Sequence, residues 1–425
     1  MRPRIDESLR HTCLINPDDN PIPMISVFHA IQSVKEQTRV LSPKTIMLED
    51  ALGRILAQDI IADSDLPPFD RAQMDGYAVR ANDTQQTPAR LRIVGESAAG
   101  AGWHREMNAG EAVRIMTGAP VPKGADSVQQ VELTREPDSG GEVEILERVE
   151  AGRSIVKRGS EITAGERVLH SGERINAAMV AVLASFGYAN VKVGERPRVA
   201  VLATGSELVA VDQKPGEDQI RDSNNFSIGA YAEIAGAVVE RLPLATDDTS
   251  LLKEQIGHAA ERSDVVISSG GVSMGVYDFT KTALKELNAE IFFERVALRP
   301  GKPTVFGRLP SGTLIFGLPG NPVSVSVTFN LFVRTALCLM QGANDPGLKE
   351  EWAVLGGDVK GARERESYLP AQLSTNEKGQ LTVESLKWGG SSDFVAFARA
   401  TALIVVPADV KVQEAGSTVK IVRLP

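Results

Sequence analysis

The sequence predicts a multidomain α/β protein built around a doubly wound sheet. Three observations carry this. Beyond Arg196-Pro197, short continuous apolar runs alternate with helix-length amphipathic segments, the pattern of parallel strands covered on both faces by crossover helices. From about Pro67 to Leu146 the chain instead reads as short β-like runs with Gly or Pro between them. From about Asp345 a β pattern returns. At 425 residues the chain exceeds one ordinary domain; at roughly 100–200 residues per domain, two to four units are expected.

Residues 1–23 carry Pro17, Pro21 and Pro23 and little periodicity, so they read as an extension. A helix follows from the N-cap candidate Ser26, with Val27, Ile31 and Val34 at helical spacing. The insertion then contributes strands at Leu91–Val94, Ala112–Ile115 and Val143–Leu146. A helix starting after Asn176 runs to the stop Gly187 and is expected to pack with the first. In the α/β region, Val199–Leu202, Val238–Leu242, Val265–Ile267, Ile291–Val296, Thr304–Phe306 and Leu314–Phe316 read as strands. Helices are expected near Asn225–Ala237, after Asp247-Asp248-Thr249, near Thr280–Leu287, and from Asn321-Pro322, with Asn as N-cap and Pro at the first helical position. The C-terminal region supplies strands at Gln380–Glu384, Leu403–Val406 and Thr418–Val422.

The resulting division is a linker domain over 24–66 and 150–195, a β-rich insertion over 67–149, an α/β domain over 197–344 and a C-terminal β domain over 345–425, a small barrel. Leu309 to Val333 contains no charged residue. Its centre, Gly317-Leu318-Pro319-Gly320-Asn321-Pro322, would break a spanning helix, so strand, loop and buried helix is the expectation. With no apolar segment near the N-terminus, a soluble, cytoplasmic protein is expected.

A net charge of −9 argues against a general nucleic-acid binder. Cys13 and Cys338 cannot form a disulfide framework or a cysteine-rich metal site. The loop Ser268 to Gly275 directly follows a buried run, and glycine lets backbone N–H groups approach a phosphate. It is no Walker A loop, because Val276-Tyr277 stands where Lys-Ser/Thr is required. Gly271-Val272-Ser273-Met274-Gly275 matches a nucleophile elbow. That reading, a serine hydrolase, needs a histidine after the serine, whereas His11, His29, His104, His170 and His258 all precede Ser273.

Glu207, Asp247 and Asp278 follow successive strands, so a doubly wound sheet would place them along one edge. Such oxygen ligands suit Mg²⁺ held together with substrate phosphates. Capping or surface solvation explains each of them singly just as well. Arg295, Arg299 and Lys302 place three cations within eight residues beside a Pro-Gly turn. Arginine suits bidentate contact to an oxyanion and lysine a point charge, although a solvated basic turn reads the same.

Six segments in order resemble the molybdopterin molybdenumtransferases, the MoeA and gephyrin E-domain family. They are Pro67–Ala78, Arg114–Pro120, Ala203–Leu208, Ser268–Ser273, Pro300–Pro303 and Gly317–Pro322. The likeness spans about Met24 to Val422. It implies an enzyme of molybdenum cofactor biosynthesis: a homodimer that inserts molybdenum, supplied as molybdate, into adenylated molybdopterin with Mg²⁺ and releases AMP. It also implies transient contact with the molybdopterin adenylyltransferase, and no nucleic acid or membrane partner. A gephyrin-like peptide-binding scaffold is the alternative.

Carried over by position, Asp75, Thr117, Glu207, Asp247, Asp278 and Lys302 fall on catalytic positions, with Glu207, Asp247 and Asp278 as metal ligands. Thr204, Gly205, Ser269, Gly270, Gly271, Ser273, Arg295, Arg299, Pro319 and Ser391 fall on substrate-binding positions. The resemblance implies that Asp75 and Thr117 face the α/β domain of the partner chain. Two departures stand out: Arg295 and Arg299 replace lysines common in the family, and Ser206 replaces an acid.

Overall fold

The computed structural model describes residues 23–138, 140–245, 248–271 and 279–425. The expected N-terminal extension lies, apart from Pro23, outside them. The chain divides into two compact units. One comprises the segment up to Lys44, Gly53–Ile55 and Val193–Pro425, and the other Thr45–Leu52 and Leu56–Lys192.

Helix α1 (Val27–Gln37) begins at Ser26, whose hydroxyl accepts the His29 N–H. Its buried Val27, Ala30 and Val34 join the main α/β core, against the helical run Pro322–Met340. Its apolar face is therefore used there, where the sequence pattern had paired it with the Asn176 helix.

The second unit carries a six-stranded mixed sheet of β1 (Gly76–Val79), β2 (Ala89–Ser97), β3 (Glu111–Ile115), β4 (Ser127–Gln130), β5 (Thr134–Arg135) and β6 (Glu142–Ile145), in the order β4-β1-β3-β2-β6-β5. Alternate side chains feed two cores: Tyr77, Val79 and Ala112 one side, Ala78, Val113 and Ile115 the other. Helix α2 (Ala177–Ser185) in the same unit starts at the expected cap, with Asn176 accepting the Met179 N–H at 2.9 Å.

The α/β domain is doubly wound. Its elements are β7 (Arg198–Ala203), α3 (Asn224–Ile234), β8 (Val238–Arg241), α4 (Thr249–Ala260), β9 (Val265–Ser269), α5 (Phe279–Glu286), β10 (Glu290–Phe293), β11 (Val305–Arg308), β12 (Leu314–Leu318) and α6 (Pro322–Met340), the last containing a π-helical turn at Phe329–Val333. The sheet order is β8-β7-β9-β12-β11-β10. β7, β8, β9 and β12 run parallel, and β11 is antiparallel to both its neighbours.

The alternation of side chains explains why these strands read as continuous apolar runs. Val199, Val201, Val265, Ile267 and Phe316 enter one core, and Ala200, Leu202, Val266 and Ile315 the other. Phe306 and Phe316 stack across β11 and β12 with centroids 4.8 Å apart. Each fully buried side chain of this size contributes about 1.5–3 kcal/mol relative to exposure. β10 ends at Phe293, shorter than expected, because Val296 leaves the sheet and its N–H bonds to the Lys302 carbonyl.

The charge-poor stretch resolves into strand β12, a turn at 319–321 and α6. By length and composition α6 is apolar enough to cross a membrane, but 89% of its apolar window is buried inside the structure. It is the core helix of this domain.

The C-terminal domain is a closed β-barrel of β13 (Glu350–Leu355), β14 (Glu366–Thr375), β15 (Leu381–Ser385), β16 (Ala402–Val406) and β17 (Thr418–Arg423), joined β14-β15-β13-β17-β16 and back to β14. Closure leaves none of these strands with an unpaired edge. β13 and β14 went unassigned from the sequence. Pro370 in β14 is a strand-breaking signal, yet it pairs with Leu403 and its carbonyl accepts the Leu386 N–H.

Candidate active site

In a doubly wound sheet the ligand crevice lies where successive crossovers leave in opposite directions. Here the chain leaves β7 for β8 on one side and returns to β9 on the other, so the crevice is beyond the carboxyl ends of β7 and β9. Register aligns those ends: Ala203 pairs with Ser269, and Ser269 with Leu318 of β12. The next residues are therefore neighbours. The Thr204 N–H bonds to the Ser269 carbonyl at 3.0 Å and the Gly270 N–H to the Leu318 carbonyl at 3.2 Å. Thr204, Gly205, Ser269, Gly270, Gly271 and Pro319 thus share one sheet edge.

Glycine is required in this turn. Gly270 and Gly271 have φ of +94° and +64°. A Cβ on Gly270 would lie 2.2 Å from the Thr204 carbonyl oxygen, and one on Gly271 2.5 Å from the Thr280 hydroxyl. Ser273, Asp247 and Asp278 lie outside the described residues. Asp248, next to Asp247, caps α4 by accepting the Leu251 N–H at 3.0 Å.

Antiparallel β11 brings the basic segment to the same edge. β10 ends there, β11 begins there with Val305 opposite Gly317, and residues 294–304 connect them. Leu298-Arg299 also pairs with Glu366-Ser367, joining the segment to the first residues of β14. Arg295, Arg299 and Lys302 are half-buried, and none is ion-paired with another described residue. The Arg295 Nε is buried without a hydrogen-bond partner. Ser391 reaches the edge from the barrel domain: its hydroxyl accepts from Asn321 Nδ2 at 2.9 Å, and its carbonyl from the Val323 N–H at 3.0 Å. Asn321 is the N-cap of α6 as expected, but its side chain serves Ser391 and makes no cap bond.

In the other unit, Asp75 precedes β1 and Thr117 follows β3, whose pairing sets Gly76 against Ile115. Asp75 Oδ1 accepts the Thr117 N–H at 2.6 Å and its hydroxyl at 2.9 Å. These bonds, the backbone one first, hold the Asp75 carboxyl below the usual range. One step along the same strands, Tyr77 and Arg114 are direct cross-strand partners, and both donate to Glu136. Burial, then the bond to Glu136, pushes the Tyr77 hydroxyl up to about 12.

Two residues missed in the sequence belong to the sheet-edge site. Asn224 Nδ2 donates to the Ser269 hydroxyl at 2.8 Å and to the Gly320 carbonyl at 2.7 Å. Asp222, 3% exposed, accepts the Asn225 N–H at 3.0 Å, and burial raises its pKa. Asp222-Ser223-Asn224 before an apolar segment is indistinguishable from an ordinary helix cap, which hid both.

Three family models match this chain in order. They describe the MoeA N-terminal region (domain I and II) over residues 25–187, a probable molybdopterin binding domain over 200–338 and the MoeA C-terminal region (domain IV) over 353–424. The chain belongs to the MoeA family. It is 36% identical over 407 residues to the molybdopterin molybdenumtransferase of Staphylococcus aureus (strain MRSA252), covering 95% of this chain and 96% of that relative. The corresponding enzyme of Staphylococcus epidermidis (strain ATCC 35984) is 35% identical over 402 residues, with 94% and 95% covered. The MoeA architecture extends to a solved structure: the molybdopterin biosynthesis moeA protein of Pyrococcus horikoshii OT3 superimposes with a TM-score of 0.81 at 28% identity, covering 95% of this chain and 100% of that one.

Magnesium, which the MoeA resemblance implies, is matched by the described residues only in the chemistry of one donor. Among them, no group of three or more His, Cys, Asp or Glu side chains could hold a metal. The Glu207 carboxylate lies close over Gly205, where a Cβ would stand 2.4 Å from its Oε2. It is a hard oxygen donor of the kind Mg²⁺ takes.

Proposed function

We propose that this chain is a molybdopterin molybdenumtransferase, which inserts molybdenum from molybdate into the dithiolene of adenylated molybdopterin and releases AMP. The observation that supports this best is the convergence on one sheet edge of a glycine turn with open backbone, a Pro-Gly turn and a basic segment. An anionic pterin phosphate and an oxyanion both need such an edge: N–H groups that reach close, and positive charge set beside them.

In this reading the backbone around Gly270 and Gly271, with Ser269 and Ser273, binds the terminal phosphate of the pterin. Thr204, Gly205 and Pro319 shape the floor. Arg295, Arg299 and Lys302 hold molybdate and offset the charge that develops as AMP leaves. Ser391, oriented by Asn321, contacts the bound oxyanion from the barrel side. Asp75 remains ionised and, with Thr117, acts on the substrate. Glu207, Asp247 and Asp278 would hold Mg²⁺, which when bound supplies charge neutralisation at the phosphoanhydride. The reading includes a cytoplasmic homodimer that receives adenylated molybdopterin from the adenylyltransferase.

The test is a single turnover of the purified chain with adenylated molybdopterin, molybdate and Mg²⁺. Release of AMP together with molybdenum-loaded pterin is expected. Absence of both sinks the proposal.

A further inference from the structure

We infer that Asn224 is a positioning residue that sets the width of the phosphate-binding crevice by tying the glycine turn to the Pro319-Gly320 turn. The inference rests on the transferase reading above and extends it to a residue to which neither the motifs nor the family resemblance gave a role.

Three loops meet at this side chain. Asn224 opens α3 on the crossover from β7, Ser269 ends β9, and Gly320 follows β12. One amide nitrogen spans the other two loops, at 2.8 Å to the Ser269 hydroxyl and 2.7 Å to the Gly320 carbonyl. The Ser269 hydroxyl, having accepted from Asn224, donates onward to the Pro319 carbonyl at 3.4 Å. Among the described residues, the last backbone bond between the two strand ends is that of the Gly270 N–H to the Leu318 carbonyl, at 3.2 Å. Beyond that point, among the described residues, the Asn224 side chain and the Ser269 hydroxyl hold them together.

The orientation of the amide is forced. Turned over, it would set its oxygen against the Gly320 carbonyl oxygen, two acceptors facing each other. As placed, Asn224 Oδ1 is buried with no partner. This orientation keeps both donors on the loops and leaves the oxygen with no partner among the described residues. Asp222 steadies the start of α3 beneath by accepting the Asn225 N–H.

Other residues cannot substitute. Aspartate would bring an acceptor to the Gly320 carbonyl and a negative charge to an anion site. Alanine would leave both loops without their link. Glutamine carries the same donors one methylene further out.

The test uses the full chain with Asn224→Ala, Asn224→Asp and Asn224→Gln, adenylated molybdopterin being varied at saturating molybdate and Mg²⁺. The Ala and Asp variants should raise KM about tenfold or more with kcat within about threefold of the parent, the signature of lost substrate binding. The Gln variant should recover part of the loss. Hydrogen exchange at the Gly270 amide should quicken in the Ala and Asp variants while the global unfolding midpoint holds. A parental KM in both variants overturns the inference, and so does parental exchange at Gly270. If the parent chain itself releases no AMP, the transferase reading fails and exchange alone decides the link: faster at Gly270 upholds it, unchanged rejects it. Should the Ala and Asp variants not fold, Asn224→Gln decides by the same readouts, raised KM and faster exchange counting for the link and parental values against it.

Discussion

Asp75 and Thr117 are 42 residues apart in sequence and joined twice: a single carboxylate oxygen accepts both the N–H and the hydroxyl of the threonine. The arrangement fixes the aspartate through one of its two oxygens. Asp75→Asn keeps an acceptor for both bonds, so it should fold normally yet lose the charge. We expect turnover at least about tenfold lower at an unchanged melting temperature. Thr117→Val removes the hydroxyl bond to the carboxylate and leaves the backbone one, so its effect should shrink in the Asp75→Asn background. Additive losses in that double-mutant cycle would separate the two residues.

The pH behaviour of Asp75 follows from the same bonds. Thr117 holds its pKa below the usual 3.8. A depressed folded value stabilises the ionised form, so its contribution to folding is present above the unfolded value and is lost as pH falls through the folded one. Between roughly pH 6 and 9 the rate profile should therefore contain no ionisation that disappears in Asp75→Asn. A limb lost in that variant would contradict the assignment.

Gly270→Ala places a methyl group 2.2 Å from the Thr204 carbonyl at a φ of +94°. Strain of this kind costs of the order of 1–3 kcal/mol, and the clash adds to it. Denaturant unfolding should move by about 2 kcal/mol or more, and transfer should be abolished. By contrast Gly312→Ala, at a φ of +92° with nothing within 4 Å, should carry the strain alone and leave transfer intact.

Arg299 tests charge against shape. Arg299→Lys keeps the cation and should leave KM for molybdate within about threefold, whereas Arg299→Gln should raise it about tenfold. Equal effects of the two would mean that the guanidinium fork is what counts.

Tyr77 and Tyr368 are both shifted upward by burial, Tyr77 to about 12. Because the neutral hydroxyl is favoured in the folded state, their contribution to stability is present below the unfolded value near 10 and is lost as pH rises through the folded one. In a spectrophotometric titration, at least two of the five tyrosines should stay protonated to about pH 11. Tyr77→Phe should remove one of them, and a full five-tyrosine step near pH 10 would refute the burial argument.

Sequence patterning recovered the α/β strands because burial on both faces forces unbroken apolar runs, as in Val199–Leu202 and Val265–Ile267. It recovered the caps at Ser26 and Asn176 because capping is local chemistry, whereas Asn321 opens α6 as expected but turns its side chain to Ser391. It failed where long-range pairing overrides local preference, as at Pro370 inside β14. The glycine turn and the basic segment were visible as composition, but their sharing of an edge depends on β11 running antiparallel, which no periodicity reports. Asn224 stayed hidden because its bonds reach residues 45 and 96 positions away.

The packing of α1 on α6 also sets an order of assembly. The first helix leaves the ribosome roughly 300 residues before the surface that buries it, a wait of about 15–60 s at ordinary rates of synthesis. The unit within residues 45–192 is complete in sequence long before then. It can fold while Val27, Ala30 and Val34 are still without their core, so nascent chains stalled between residues 200 and 320 should expose α1 to proteases and chaperones, and chains released beyond Met340 should not.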